Sequence, residues 1–156
     1  MIYLDNAATT INKPTPVYDA VLYAMQHTGN PGRGTSDTAM EAARDIYAAR
    51  VSLCGFFGGD DPARIVFTSN ATEALNIAIH GLIGAGDHVI TTQLEHNSVL
   101  RPLYMRRDAG ADIEIVPCRE NGMADVDAMI AAIRPDTKAI VCTHASNLTG
   151  NVTDIA

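Results

Sequence analysis

The feature that most constrains the fold of this chain is a regular alternation of short apolar runs and amphipathic segments, which begins after Pro62. Short apolar runs predict strands, and apolar residues at helical spacing predict the helices between them. The predicted order is a strand at 64–68, a helix at 72–83, a strand at 88–92, a helix at 98–108, a strand at 112–117, a helix at 125–134 and a strand at 138–143. The run at 139–142 shows no polar alternation, which is typical of a strand covered on both faces. The β-α-β-α-β-α-β order therefore predicts a doubly wound α/β fold, with a mostly parallel sheet and helices on both faces.

Two further helices are predicted before this alternation begins. Thr15, framed by two prolines, is expected to cap the first helix, which stops at Gly29. A glycine-rich turn follows at 29–34, and apolar residues at helical spacing predict the second helix over 37–57.

The chain stops after the last predicted strand, where the alternation calls for another covering helix. Four strands with a bare edge and an uncovered face would leave apolar surface and unpaired backbone groups in water. We therefore expect the chain to be part of a larger protein.

The composition argues against several classes of protein. The chain has 11 Lys and Arg residues against 18 Asp and Glu residues, a formal net charge of −7, so nucleic acid is not an expected partner. Its longest apolar stretch, at 74–83, is too short to span a membrane, and the N-terminus lacks the basic start and apolar run of a signal peptide. The three cysteines lie in unrelated contexts, which suits reduced thiols. We therefore expect a cytoplasmic protein with no membrane partner.

Three polar segments follow predicted strands, where an open parallel sheet binds its ligands. The first, 68–73, places small hydroxyl and amide residues at a helix N-terminus. This segment would hold a phosphate, or Asn70 or Thr72 is only an N-cap there. The second, 93–98, offers His96 for stacking or proton transfer, or is a solvated loop that caps the next helix through Asn97. The third, 144–150, is polar or simply a turn. Their shared position at one end of the sheet favours a site.

Other possible sites are poorly supported by the sequence. The glycines at 81–86 end a helix and precede a strand, the reverse of the context of a dinucleotide-binding loop. His80, His88 and His96 fall on a helix, a strand and a loop with no thiol nearby, so no metal site is expected.

These segments resemble those of the class V aminotransferase family, and specifically of cysteine desulfurases, which are pyridoxal-phosphate enzymes of fold type I. The resemblance runs over the whole chain in five ordered motifs: Tyr3–Thr10, Gly29–Gly34, Phe67–Asn76, Glu95–Ser98 and Ser146–Gly150. It implies that Ala71 and Thr72 hold the phosphate of pyridoxal 5'-phosphate. It also implies that His96 stacks over the pyridine ring and transfers protons, and that Asn147 hydrogen-bonds near the phenolic oxygen.

The reaction implied by the resemblance releases sulfur from L-cysteine and leaves L-alanine and an enzyme persulfide. L-cysteine or a related small amino acid is the implied substrate, a homodimer is the implied assembly, and a sulfur-acceptor protein is a further implied partner. Residues 1–36 would form an N-terminal arm, a short helix and a glycine-rich loop. Residues 37–156 would form the first part of the cofactor-binding large domain, incomplete at its C-terminus.

The chain departs from the family pattern in having no suitable Schiff-base lysine. Lys13 precedes the first predicted helix, and Lys138 opens a strand at the end opposite the predicted site, so neither fits. The family's nucleophilic cysteine also falls later than residue 156, and Cys54, Cys118 and Cys142 are interpreted as buried or structural thiols. We therefore expect the chain alone to be inactive and the activity to belong to a longer polypeptide.

Two other interpretations stay open at this point. A selenocysteine lyase, or another class V aminotransferase or lyase, would share these cofactor-binding residues and differ in carboxy-terminal ones. A non-catalytic interaction module that kept the fold would explain the missing lysine, although Thr72, His96 and Asn147 would then have no reason to be present.

Overall fold

The computed structural model describes residues 2–155. The chain forms two compact units, one up to Phe67 and one from Thr68 onward. The first unit is helical, and the second contains the whole sheet. The three segments singled out at the carboxyl ends of strands all belong to the second unit.

The first unit contains helix α1, Thr15–His27, helix α2, Asp37–Phe56, and a 3-10 turn at Pro62–Arg64. Helix α2 begins where the Oγ of Ser36 accepts a hydrogen bond from the N–H of Ala39. The prediction that Thr15 caps α1 is wrong. Pro14 occupies the capping position without a side-chain hydrogen bond, and Thr15 is already helical.

The strand predicted at 64–68 does not form. Ile65 follows the 3-10 turn in an extended conformation, but no residue within 2–155 pairs with 65–68 as a sheet neighbour. Val66 is 72% exposed. An apolar run becomes a strand only when a neighbouring strand satisfies its backbone groups, and sequence pattern alone does not supply that neighbour.

The second unit alternates helices and strands as predicted. Its elements are α3 (Ala71–Leu82), β1 (His88–Thr92), α4 (Asn97–Asp108), β2 (Asp112–Val116), α5 (Val126–Ala131) and β3 (Thr137–Val141). The strands form a parallel sheet in the order β2-β1-β3. The register pairs Thr91 with Val141, so β1 and β3 end at nearly the same level. The predicted parallel α/β fold is confirmed.

Helix α5 is shorter than the predicted helix at 125–134. It ends at Ala131 because the following residues form the turn into β3. The N–H of Arg134 donates to the Oγ1 of Thr137, and the N–H of Thr137 donates back to the carbonyl of Arg134. Pro135 also disfavours a helical conformation at the residue before it.

Both faces of the sheet are packed, because successive strand residues point to opposite sides. On one face Val89 packs with residues of α3 and α4. On the other face Ile90 packs with Met129 of α5 and with Val116. This packing holds the N-termini of α3 and α4 at the carboxyl end of the sheet. No helix in the described part of the chain is long and apolar enough to cross a membrane.

Candidate functional site at the carboxyl ends of the strands

The N-terminus of α3 is held by a reciprocal pair of hydrogen bonds. The side chain of Asn70 accepts from the N–H of Glu73 at 2.9 Å, and the Glu73 carboxylate accepts from the N–H of Ser69 at 2.7 Å. The bond from Ser69 lowers the pKa of Glu73 below its usual value. Asn70 is therefore the N-cap, one of the two alternatives for this segment.

The capping pair leaves two backbone donors of α3 without a partner. The N–H groups of Ala71 and Thr72 donate to no other atom of residues 2–155. Both residues are exposed and lie at the positive end of a helix of 12 residues. Free N–H groups at a helix N-terminus are suited to an anion such as a phosphate.

His96 begins helix α4 and is itself the N-cap, so the alternative that Asn97 caps this helix is wrong. The ring Nδ1 of His96 accepts from the N–H of Ser98 at 3.1 Å and lies 2.8 Å from the Oγ of Ser98. Because Nδ1 accepts from a backbone N–H, the neutral ring carries its proton on Nε2.

Thr72 and His96 line one cavity of about 400 Å³ in the second unit. The other lining residues come from the same two helices: Asn76, Asn97, Ser98, Arg101 and Met105. The structure therefore brings together the predicted phosphate-binding hydroxyl and the predicted imidazole. A larger groove of about 600 Å³ lies along α2, but its lining is mainly apolar and it contains none of the predicted site residues.

Three cavity residues lie outside the three polar segments that the sequence indicated. Asn76 follows Thr72 by one helical turn, and its amide donates to the Thr72 carbonyl at 2.8 Å. Arg101 and Met105 are likewise separated by four residues on α4, which places them on one face. The four-residue spacing from Thr72 was the signal available in the sequence for Asn76.

Asn147 lies apart from that cavity lining. It is exposed in the turn after β3. The turn is closed by a hydrogen bond from the N–H of Gly150 to the carbonyl of Ser146, and by one from the N–H of Ser146 to the carbonyl of Asn151. The turn expected as the alternative for this segment is thus present, and a cofactor contact of Asn147 stays a prediction.

Glu95 connects the loop after β1 to the end of β3. It is 7% exposed. Its carboxylate accepts from the hydroxyl of Thr92 at 2.6 Å, and from the N–H and the hydroxyl of Thr143 at 2.8 Å each. The carboxylate beside His96 therefore faces the protein interior, whereas His96 itself is exposed.

The remaining nucleophilic and metal-binding groups do not add to this site. All three cysteines are free thiols, with Cys54 buried and Cys118 and Cys142 half-buried. Lys138 lies on β3 near the start of the strand, at the end opposite the cavity. Within residues 2–155, no group of three or more His, Cys, Asp and Glu side chains has an arrangement that would hold a metal ion.

Cys142 is expected to react slowly with alkylating reagents near neutral pH. Burial, and then the negative charge of Glu95, raise the pKa of this thiol above its usual value, and the thiolate is the reactive form. Iodoacetamide labelling of Cys142, followed by peptide mass spectrometry, should therefore accelerate at a higher pH in the folded protein than in denaturant. Identical pH profiles in the two states would contradict this assignment.

The sequence of the chain is similar to one family of known proteins. The sequence matches the family described as Aminotransferase class-V over residues 2–156. A probable cysteine desulfurase of Halobacterium salinarum is 37% identical, and the match covers 99% of this chain and 39% of that relative. The chain thus spans about two fifths of the length of such relatives, whose N-terminal part it matches.

Solved structures show the same similarity. The apo structure of a cysteine desulfurase from Thermococcus onnurineus NA1 superposes with a TM-score of 0.85 at 29% identity, and the match covers 99% of this chain and 39% of that one. A structure of SspA in complex with cysteine superposes with a TM-score of 0.83 at 30% identity, covering 98% and 45% of the two chains. The chain belongs to the class-V aminotransferase family.

Proposed function

We propose that this chain is the amino-terminal portion of a cysteine desulfurase-like enzyme and carries part of the binding site for pyridoxal 5'-phosphate. The observation that carries the proposal is the shared cavity, which joins Thr72, at an uncapped pair of helical N–H groups, to the ring of His96. Its relatives are cysteine desulfurases, which favours L-cysteine as the substrate.

The donor set of the site fits this cofactor. A phosphate dianion requires several hydrogen-bond donors and a positive field, and the N-terminus of α3 offers two free N–H groups, the hydroxyl of Thr72 and the helix dipole. An aromatic ring requires a flat partner, and the His96 imidazole lines the same cavity. When bound, pyridoxal phosphate supplies an electron sink for reactions at the carbon next to the substrate amino group.

The residues of this chain then have distinct tasks. Ala71 and Thr72 would hold the phosphate, and the imidazole of His96 would hold the pyridine ring. In the neutral imidazole, Nε2 carries the proton and acts as a donor. When the neutral ring gains a second proton, Nδ1 is the nitrogen that takes it, and the Oγ of Ser98, 2.8 Å away, is the neighbouring acceptor for it. Ser98 therefore lets His96 gain and lose a proton without leaving Nδ1 unpaired.

We extend the proposal to Asn147, to the two predicted regions of the chain and to the partners of the protein. Asn147 would approach the cofactor when the site is complete, and residues 1–36 and 37–156 would form the N-terminal arm and the first part of the large domain. A homodimer, a sulfur-acceptor protein and a cytoplasmic location are part of the same proposal. The free state of all three thiols supports that location.

The function is tested with the intact protein that contains this chain. Purified with pyridoxal phosphate and supplied with L-cysteine and a thiol reductant, it should release alanine and sulfide in equal amounts. Failure to form alanine, with cofactor bound at full occupancy, would contradict the proposed reaction.

The phosphate-binding role of Thr72 has a separate test. Thr72→Ala removes a hydroxyl donor to a charged group, which is expected to weaken pyridoxal phosphate binding about tenfold. Pyridoxal lacks the phosphate, so its affinity should be the same for both proteins. Equal weakening of both compounds, measured by equilibrium titration, would show that Thr72 acts elsewhere.

A further inference from the structure

We propose that Glu95 is a positioning residue: its buried carboxylate fixes the imidazole of His96 at the cavity shared with Thr72 by tying the loop after β1 to the end of β3. This inference rests on the proposed function, because the part that His96 plays in the reaction belongs to that proposal. The geometry of the connection is a property of the fold alone.

In its hydrogen bonds, the Glu95 carboxylate is the acceptor. Oε1 accepts from the Thr143 N–H at 2.8 Å, and a backbone N–H has no other role than donor. The same oxygen lies 2.6 Å from the hydroxyl of Thr92, while Oε2 lies 2.8 Å from the hydroxyl of Thr143. A buried carboxylate is costly unless such bonds are made. Together, the three hydrogen bonds hold the Glu95 carboxylate in one orientation.

Glu95 is the last buried residue before helix α4 begins. His96 follows directly and is exposed, so packing does not determine where its ring lies. The ring's hydrogen bonds are made with Ser98, on the same loop and helix turn. The connection to a different strand is made one residue earlier, by Glu95 to Thr143. His96 is thus held relative to the sheet from two sides, by the packing of α4 that follows it and by the hydrogen bonds of Glu95 that precede it.

The level ends of β1 and β3 make this connection possible. The register pairs Thr91 with Val141, so Glu95 and Thr143 emerge from neighbouring strands at the same end of the sheet. Replacement of Glu95 by Ala removes every bond of the connection. Glu95→Gln keeps the size of the side chain and one oxygen that can accept from the Thr143 N–H, so it is the conservative variant.

The test measures amide hydrogen exchange in the intact protein with pyridoxal phosphate bound. Glu95→Ala should accelerate exchange of the Ser98 N–H, which bonds to His96 Nδ1, by about tenfold, and Glu95→Gln by much less. The Glu73 N–H, held by Asn70 on α3, should be unchanged in both. An unchanged Ser98 N–H in the Ala variant would overturn the inference, and so would equal acceleration at Glu73.

A second variant covers the case in which Glu95→Ala does not fold. Thr143→Val removes one hydroxyl bond to the carboxylate but keeps the backbone N–H and the shape of the side chain. It should also accelerate exchange of the Ser98 N–H, by a smaller factor than Glu95→Ala does. No acceleration in this variant would also count against the connection.

Turnover separates positioning from general support of the fold. Glu95→Ala should lower kcat by about 10-fold to 100-fold with little change in cofactor affinity. Glu95→Gln should keep most of the original kcat. In a His96→Asn background, the same change should cause no further loss, because Glu95 acts through His96. An additive loss would overturn the inference.

The two proposals fail in different ways. A protein that forms no alanine but shows the Ser98 response would contradict the proposed function and leave the positioning intact. A protein that forms alanine while neither Ser98 exchange nor kcat responds to Glu95→Ala would contradict the positioning alone.

Discussion

His96→Ala is expected to lower kcat for alanine formation by about 10²-fold to 10⁴-fold in the intact protein, the range for loss of a side chain that transfers protons. The phosphate donors lie on α3, so pyridoxal phosphate should remain bound. The measurement is alanine release under saturating L-cysteine, together with the absorbance of bound cofactor.

A matched variant separates the chemistry of His96 from its structural role. His96 also caps α4 through Nδ1, and loss of an N-cap to Ala costs about 1 kcal/mol. Asn is a good capping residue without an imidazole, so His96→Asn should keep the free energy of unfolding and still lose the activity. If His96→Asn keeps the activity, the assigned role of the ring is wrong.

Leu103→Ala is expected to reduce the free energy of unfolding by about 3 kcal/mol. Leu103 lies on α4, is 0% exposed and packs in the cluster that joins α3 and α4 to the sheet. The loss combines the transfer of the removed methyl and methylene groups with the cavity left behind. Denaturant unfolding of the intact protein, at an unchanged m value, gives the difference.

The matched control for this substitution is Leu82→Ala. Leu82 ends α3 and is 64% exposed, so the same chemical change there should cost less than about 1 kcal/mol. Similar losses at the two positions would contradict the assignment of the α3–α4 cluster as the core that supports the site.

Much of the second unit was predictable because its signals are local. The apolar run at 88–92 lies between a turn and a polar loop, and the predicted bounds of β1 are confirmed. Helices α3 and α4 begin within one residue of the predicted starts. The class of the fold follows from this order of elements, since short connections between parallel strands pass through helices.

One error arose where a distant residue decides the outcome, and another arose in a local turn whose hydrogen bonds helical spacing does not reveal. The apolar run at 64–68 has strand character, yet a strand needs a partner that is distant in the sequence. The end of α5 depends on Thr137, which bonds the N–H of Arg134 in the turn before β3.

The sequence predicted residues of the site, but only part of their arrangement in space. Thr72 and His96 were predicted to lie together because each was expected to follow a parallel strand. The strand before Thr72 does not form, and the packing of α3 with α4 brings the two residues into one cavity instead. The contact between Glu95 and Thr143 joins residues 48 positions apart, and it depends on the register of β1 against β3. Periodicity does not determine that register.

The most direct test of the proposed site is a crystal structure of the intact protein with pyridoxal phosphate. We expect the phosphate within hydrogen-bond distance of the N–H groups of Ala71 and Thr72, and the pyridine ring against the imidazole of His96. A phosphate bound away from the N-terminus of α3, with His96 remote from the ring, would contradict the proposed site.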